Sequence, residues 1–182
     1  HCRGTGTWIV ADEVYERLHF GAGSAAPSFL DIASDEDRLV VAHSFSKSFL
    51  MTGWRLGWLV LPRGHMDAIG KLIEFNTSCA PVFVQRGGLA ALQLAPDFVP
   101  ALVQRLRGCR NRLLPQLAAL PGVEVASPPG GMYAFFRLKD EPDAGAACMR
   151  ILEQARVGLA PGHLFGAVGR PFLRMCVFRD PA

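Results

Sequence analysis

Apolar residues in this chain fall in short runs that stop abruptly at ionic or polar positions. Trp8-Ile9-Val10-Ala11 ends in Asp12-Glu13, Leu39-Val40-Val41-Ala42 ends in His43-Ser44-Phe45-Ser46-Lys47, and the run from Arg55 to Leu61 is closed by Pro62. Continuous apolar runs of this length predict buried strands, as in a mostly parallel sheet covered on both faces. Gly21 to Pro27 is a small-residue loop. Helical spacing then takes over. Met66, Ile69, Leu72 and Ile73 mark a helix over 66–75, and 82–94 is rich in Ala and Leu. Asp97 reads as the N-cap of a long amphipathic helix from Phe98 to about Leu120, kinked at Pro115. Residues 123–125 and 132–138, separated by Pro128-Pro129-Gly130-Gly131, predict two strands; 144–155 predicts a helix, and 157–160 and 172–178 two late strands. The first half thus reads as α/β and the second as α+β. A boundary near residue 95 divides the chain into 1–95 and 96–182, with the long helix as connector.

Composition narrows the classes. The chain has 182 residues, 50% hydrophobic and 19% charged, enough for one domain or one and a half. A mean hydropathy of +0.21 excludes a disordered or fibrous chain. The net charge of +3 is mild and no basic run concentrates it, which argues against a nucleic-acid partner. No apolar run approaches the roughly 18 residues of a membrane span. The chain opens at His1, without a signal-peptide pattern, and runs almost at once into a strand, so the expectation is a piece of a longer protein. The 5 cysteines are odd in number and none has C-x-x-C spacing; reduced thiols in a cytoplasmic protein are expected. Only three lysines occur, Lys47, Lys71 and Lys139, which makes each worth inspection.

Three motifs can be weighed from residues alone. Gly21-Ala22-Gly23-Ser24-Ala25-Ala26 fits a dinucleotide-binding fingerprint, but Pro27 follows and no helix opens there, so a plain loop is the better reading. Ser44-Phe45-Ser46-Lys47 fits the S-x-x-K acylation motif, but no K-T-G segment follows downstream. The five histidines lack metal-ligand spacing, so no metal is expected. What remains is a set of polar residues at strand ends: Asp12 and Tyr15 after the first strand, Ser44 and Lys47 after the second, Arg55 before the third. In open α/β sheets, ligands bind outside the carboxyl ends of strands. Taken singly, each residue reads better as a cap, a turn residue or a solvated surface charge; the joint arrangement does not.

Asp12-Glu13-Val14-Tyr15, then Ser44-Phe45-Ser46-Lys47-Ser48-Phe49, then Thr52-Gly53-Trp54-Arg55-Leu56-Gly57 together resemble the class I/II aminotransferases. The resemblance continues through Pro129-Gly130-Gly131-Met132-Tyr133, Pro161-Gly162-x-x-Phe165-Gly166 and Arg174-Met175-Cys176, in the family's order and over the whole chain. It implies a pyridoxal-phosphate enzyme of fold type I. The chain would supply part of the large domain (a mostly parallel sheet between helices) followed by a small α+β C-terminal domain.

The resemblance also implies roles. Lys47 would form the internal Schiff base with pyridoxal 5'-phosphate and then move a proton as a general acid–base. Asp12 would be the buried carboxylate that keeps the pyridine nitrogen protonated. Tyr15 would hydrogen-bond the cofactor's phenolate oxygen. Ser44 and Arg55, with Ser46 nearby, would hold the phosphate, Arg55 by a bidentate fork. Arg174 holds the position of the arginine that binds the substrate α-carboxylate, in preference to Arg179; Tyr133 would line the substrate pocket. Asn76-Thr77-Ser78 sits where family members reach toward a neighbouring subunit, and a homodimer is implied for the full protein. Full family members run to about twice this length. Their N-terminal half supplies the main phosphate turn, the aromatic that stacks on the ring and an asparagine, none of which can be assigned within 1–182.

The implied reaction moves an amino group between an amino acid and a 2-oxo acid. The surroundings of Trp54 and Trp58 lean toward neutral substrates. A C–S lyase or decarboxylase would use the same cofactor residues. An aminotransferase-like effector domain of a transcription regulator, or an inactive remnant, would carry them too.

Overall fold

A computed structural model describes residues 1–178. It divides into two compact units, His1–Leu102 and Val103–Ala182; Arg179 lies outside the described residues. Among those described, no helix is long and apolar enough to cross a membrane.

The first unit opens with a single helical turn, α1 (Cys2–Thr5), ended by Gly6 in the left-handed region. Its sheet has the order β1 (Ile9–Asp12), β2 (Leu39–Ser44), β3 (Gly57–Val60). β1 and β2 are parallel, with Ile9 opposite Leu39 and Asp12 opposite Ala42. β3 runs antiparallel to β2, with Gly57 opposite Ser44. Side chains alternate between faces along a strand. Ala11, Leu39 and Val41 therefore share one face, where they are buried with Ile9 and Ala33 packed against them. The other face carries Val10, which is 75% exposed. Of the two pairings in this unit one is parallel, the face carrying Val10 is the more open one among the described residues, and the α/β class expected from the sequence holds. A run of apolar residues reports burial tendency and is blind to strand direction.

The link from β2 to β3 holds a short helix, α2 (Phe45–Ser48), and a 3-10 turn (Thr52–Trp54) ended by Arg55 with φ 52°. Gly57 is required where the chain returns. A Cβ there would stand 2.5 Å from the His43 carbonyl oxygen, a backbone atom that cannot swing away. The loop between β1 and β2 is tied by Glu13, which accepts from Ser28 Oγ (2.6 Å) and from the Phe29 amide (3.0 Å). A bidentate Arg3–Asp37 pair (2.6 Å for each contact) ties its far end to α1 and holds the Asp37 carboxyl well below the usual carboxylate range.

α3 (Met66–Thr77) follows, then α4 (Val82–Ala118), a single helix of 37 residues. The break expected at Asp97 is absent: Pro96, Pro100 and Pro115 all lie inside α4. An interior proline costs about 3 kcal/mol. Val99, Leu102, Leu106, Leu114 and Leu117 are all buried along the same helix. Fully burying such a side chain contributes about 1.5–3 kcal/mol, so packing overrides the local signal.

In the second unit, β4 (Val123–Val125), β5 (Tyr133–Leu138), β6 (Ala160–Pro161) and β7 (Phe172–Cys176) form an antiparallel sheet of order β4-β5-β7-β6. The strand expected over 157–160 is present only at Ala160, the first of the two residues of β6. α5 (Ala144–Ala155) falls where its periodicity places it, capped by Asp143, whose carboxylate accepts from the Gly145 and Ala146 amides. Phe136 and Leu173 on the inner face of the sheet pack with Ala144, Ala147 and Cys148 of α5. Gly162 passes so close to Gly169 that a Cβ on either would strike the other's backbone carbonyl.

Candidate active site

Six of the eight residues singled out in the sequence lie in the first unit. Asp12 is the last residue of β1 and Ser44 the last of β2. Asp12 is opposite Ala42 in the ladder, and Ser44 is two residues further on. All three therefore project from the same face, the open one. Asp12 is exposed there, and its Oδ1 accepts from the Val14 amide at 3.3 Å. Among the described residues this carboxylate is exposed, on a face where Ala42 and Ser44 are half-buried.

Ser44 is also the N-cap of α2. Its Oγ accepts from the Ser46 amide (3.1 Å) and donates to Ser46 Oγ (2.9 Å), which brings the two hydroxyls together. Ser46 itself is buried. Ending β2 with a cap and opening α2 at once places Lys47 in the first turn after the strand. Lys47 is half-buried, and its Nζ lies over the Tyr15 ring, 5.8 Å from the centroid. Tyr15 reaches it from the turn that follows β1. Arg55 is exposed, and its guanidinium donates to the Thr52 carbonyl at 2.8 Å. The structure thus groups Asp12 with Ser44, Ser44 with Ser46, and Lys47 with Tyr15, while Arg55 is occupied by its own turn.

One cluster escapes a reading by spacing. Glu13, Glu16 and His43 bring their polar atoms within 4.8 Å of one another because β1 and β2 are parallel neighbours. His43 is 8% exposed, stacks on Trp58 at 4.9 Å, and turns Nδ1 toward Glu16 at 3.3 Å. Both oxygens of Glu13 already accept hydrogen bonds from the loop. The parity of β2 puts His43 on the face opposite Ser44. No sequence motif links 13, 16 and 43; only the strand pairing does.

The other two residues lie in the second unit. Arg174 in β7 is opposite Phe135 in β5, and Tyr133 is two residues from Phe135, so all three share the outer face of that sheet. The Arg174 guanidinium carbon lies 4.3 Å from the Tyr133 ring centroid and 4.0 Å from that of Phe165. Phe165 is the residue the sequence reading left without a role.

Residues 1–181 match the family model described as aminotransferase class I and II. The chain belongs to this family. Among curated aminotransferases, it is 34% identical over 158 residues to an aspartate aminotransferase of Thermotoga maritima, covering 87% of this chain and 40% of that protein. It is 33% identical over 184 residues to a probable aspartate/prephenate aminotransferase of Aquifex aeolicus, covering 96% of this chain and 45% of that protein. The crystal structure of the Thermotoga maritima aspartate aminotransferase superposes with a TM-score of 0.85 at 30% identity, over 98% of this chain and 45% of that one. An aromatic aminotransferase of Pyrococcus horikoshii gives 0.85 at 26% identity, over 97% and 48%. The α/β fold is therefore that of the aminotransferases, and the chain spans less than half the length of these relatives.

The family implies pyridoxal phosphate, and the donor set of this chain suits it. An amine, a carboxylate, a phenol and two hydroxyls stand around the carboxyl ends of adjacent parallel strands, with a guanidinium in the following turn. An aldehyde needs the amine, a pyridinium the carboxylate, and a phosphate the hydroxyls and guanidinium.

Proposed function

We propose that the protein carrying this chain is a pyridoxal-phosphate-dependent aminotransferase that moves an amino group between an amino acid and a 2-oxo acid. The observation that carries the reading is Lys47 poised over Tyr15 beside strand ends that bear Asp12 and Ser44, in a chain that matches one aminotransferase family over nearly its whole length. When bound, the cofactor supplies an electron sink for carbanion chemistry.

The chain's own residues do the rest. Lys47 would hold the aldehyde carbon through a C–N bond and, once released, carry the proton taken from the substrate Cα. The Asp12 carboxylate would keep a proton on the ring nitrogen by direct charge pairing. The Tyr15 hydroxyl would donate to the ring's phenolate oxygen. Ser44, Ser46 and Arg55 would grip the phosphate, Arg55 after letting go of the Thr52 carbonyl. Arg174 would take the α-carboxylate common to amino acids and 2-oxo acids, with Tyr133 beside it. On this reading 1–95 belongs to the large cofactor domain and 96–182 comprises the connecting helix and the small domain. The working form is a homodimer in the cytoplasm.

Borohydride reduction of the protein with pyridoxal phosphate, followed by peptide mapping, tests the proposal. Label at Lys47, and an absorbance band near 360–430 nm (roughly, as expected for this cofactor bound through nitrogen) that Lys47→Ala removes, are expected. Label elsewhere would refute it. Amino transfer that requires an added 2-oxo acid distinguishes an aminotransferase from a lyase, which would release ammonia without one.

A further inference from the structure

Arg174 is placed in an unusual way for a cation awaiting an anion. Among the described residues no carboxylate pairs with it and no hydrogen bond holds it; its contacts are the rings of Tyr133 and Phe165, at 4.3 and 4.0 Å. Phe165 ends the 3-10 turn Gly162–Phe165 that follows β6. It is held in its turn by Phe135, edge to face at 6.4 Å and 80°, and Phe135 stacks on Phe172 at 4.8 Å and 5°. The base of that turn is fixed by the Gly162–Gly169 approach.

A guanidinium carries five N–H donors at its edge and none on its faces. Attraction to an aromatic ring restrains such a cation without using any donor. A carboxylate partner from the protein would restrain it equally well, but would have to be displaced before a substrate could bind. We infer that Phe165, together with Tyr133, is a positioning residue for carboxylate recognition: the rings hold the Arg174 side chain while its donor edge stays available. The inference rests on the role proposed above for Arg174, and it assigns Phe165 an effect on ground-state binding of the carboxylate and none on proton transfer.

The test uses the full polypeptide that carries this chain, loaded with pyridoxal phosphate, and 3-phenylpropionate as a monocarboxylate probe. In the unliganded protein the Arg174 Hε resonance is expected upfield of ordinary arginines, because ring currents act on it. In Phe165→Leu it should return toward the ordinary position. The same variant should weaken probe binding about tenfold and raise KM by a similar factor with kcat unchanged. Phe165→Tyr should restore both. Probe binding unchanged in Phe165→Leu but lost in Arg174→Leu would overturn the positioning role and leave the reading of Arg174 standing. Probe binding unchanged in Arg174→Leu would overturn that reading and this inference with it. An unshifted Arg174 resonance in the parent protein would overturn the inference even if Phe165→Leu failed to fold.

Discussion

Lys47 Nζ stands over the ring of Tyr15, 5.8 Å from its centroid, so the residue after one strand and the residue after its parallel neighbour meet above the strand ends. The aromatic face and the phenol are separable contributions. Tyr15→Phe keeps the face and Tyr15→Leu removes it. Cation–π attraction of this exposed kind is worth about 0.5–1 kcal/mol. Reductive trapping of pyridoxal phosphate on Lys47, read by mass spectrometry, should therefore proceed in Tyr15→Phe within about twofold of the parent if the ring is what matters, and fall several-fold in Tyr15→Leu.

Gly57 offers a test of the fold beneath the site. Adding one methyl brings a Cβ to 2.5 Å from the His43 carbonyl oxygen. Both atoms belong to backbones locked in the β2–β3 ladder, so neither can yield cheaply. Gly57→Ala should lower the unfolding free energy by at least about 1–3 kcal/mol, the usual range for overpacking. Urea denaturation measures it, and Gly64→Ala, whose Cβ would meet open space, is the control.

Cys148 is buried in α5 against Leu173, and burial pushes its thiol pKa up. A thiol whose folded pKa is raised favours the fold below its ordinary pKa, and that contribution is lost as pH rises through the folded value. Stability should therefore decline on the alkaline side, and Cys148→Ala should flatten the decline. Alkylation at pH 8 should label the exposed Cys79 and Cys176 first and reach Cys148 only on unfolding.

The cap of α5 titrates in the opposite sense. The Ala146 and Gly145 amides hold the Asp143 carboxyl below its usual range. A depressed carboxyl contributes stability above its ordinary pKa and loses it as pH falls through the folded one. Asp143→Ala should lower Tm by a few degrees at pH 7, and the gap from the parent should close as pH drops below about 4.

Much of this could be read before any coordinates. α5 was legible because Ala, Leu and Ile positions keep helical period over 144–155, and β1, β2 and β5 because their apolar runs are short and sharply ended. The family emerged from polar residues at strand ends, whose order and spacing follow one family's motifs. α4 was misread because Asp97 as an N-cap is a local signal, whereas the burial of Val99, Leu102 and Leu106 that overrides it is tertiary. The direction of β3 was invisible, since antiparallel and parallel strands share one apolar pattern here. His43 with Glu16, and Arg174 with Phe165, join residues on different elements. Pairing of strands and the placement of a turn decide such contacts, and neither leaves a periodic mark.

The mutual approach of Gly162 and Gly169 constrains variation in a way that exposure alone would not suggest. Val168, beside one of them, is 90% exposed and should accept almost any replacement. The two glycines should accept none, because each occupies the volume a methyl group on the other would need. Apart from Gly166, whose φ of 122° favours glycine, a saturation library across 160–172 would then record intolerant columns at 162 and 169 against a permissive one at 168. Compensating double replacements would not rescue them, since no second side chain can give back space that main-chain atoms already fill.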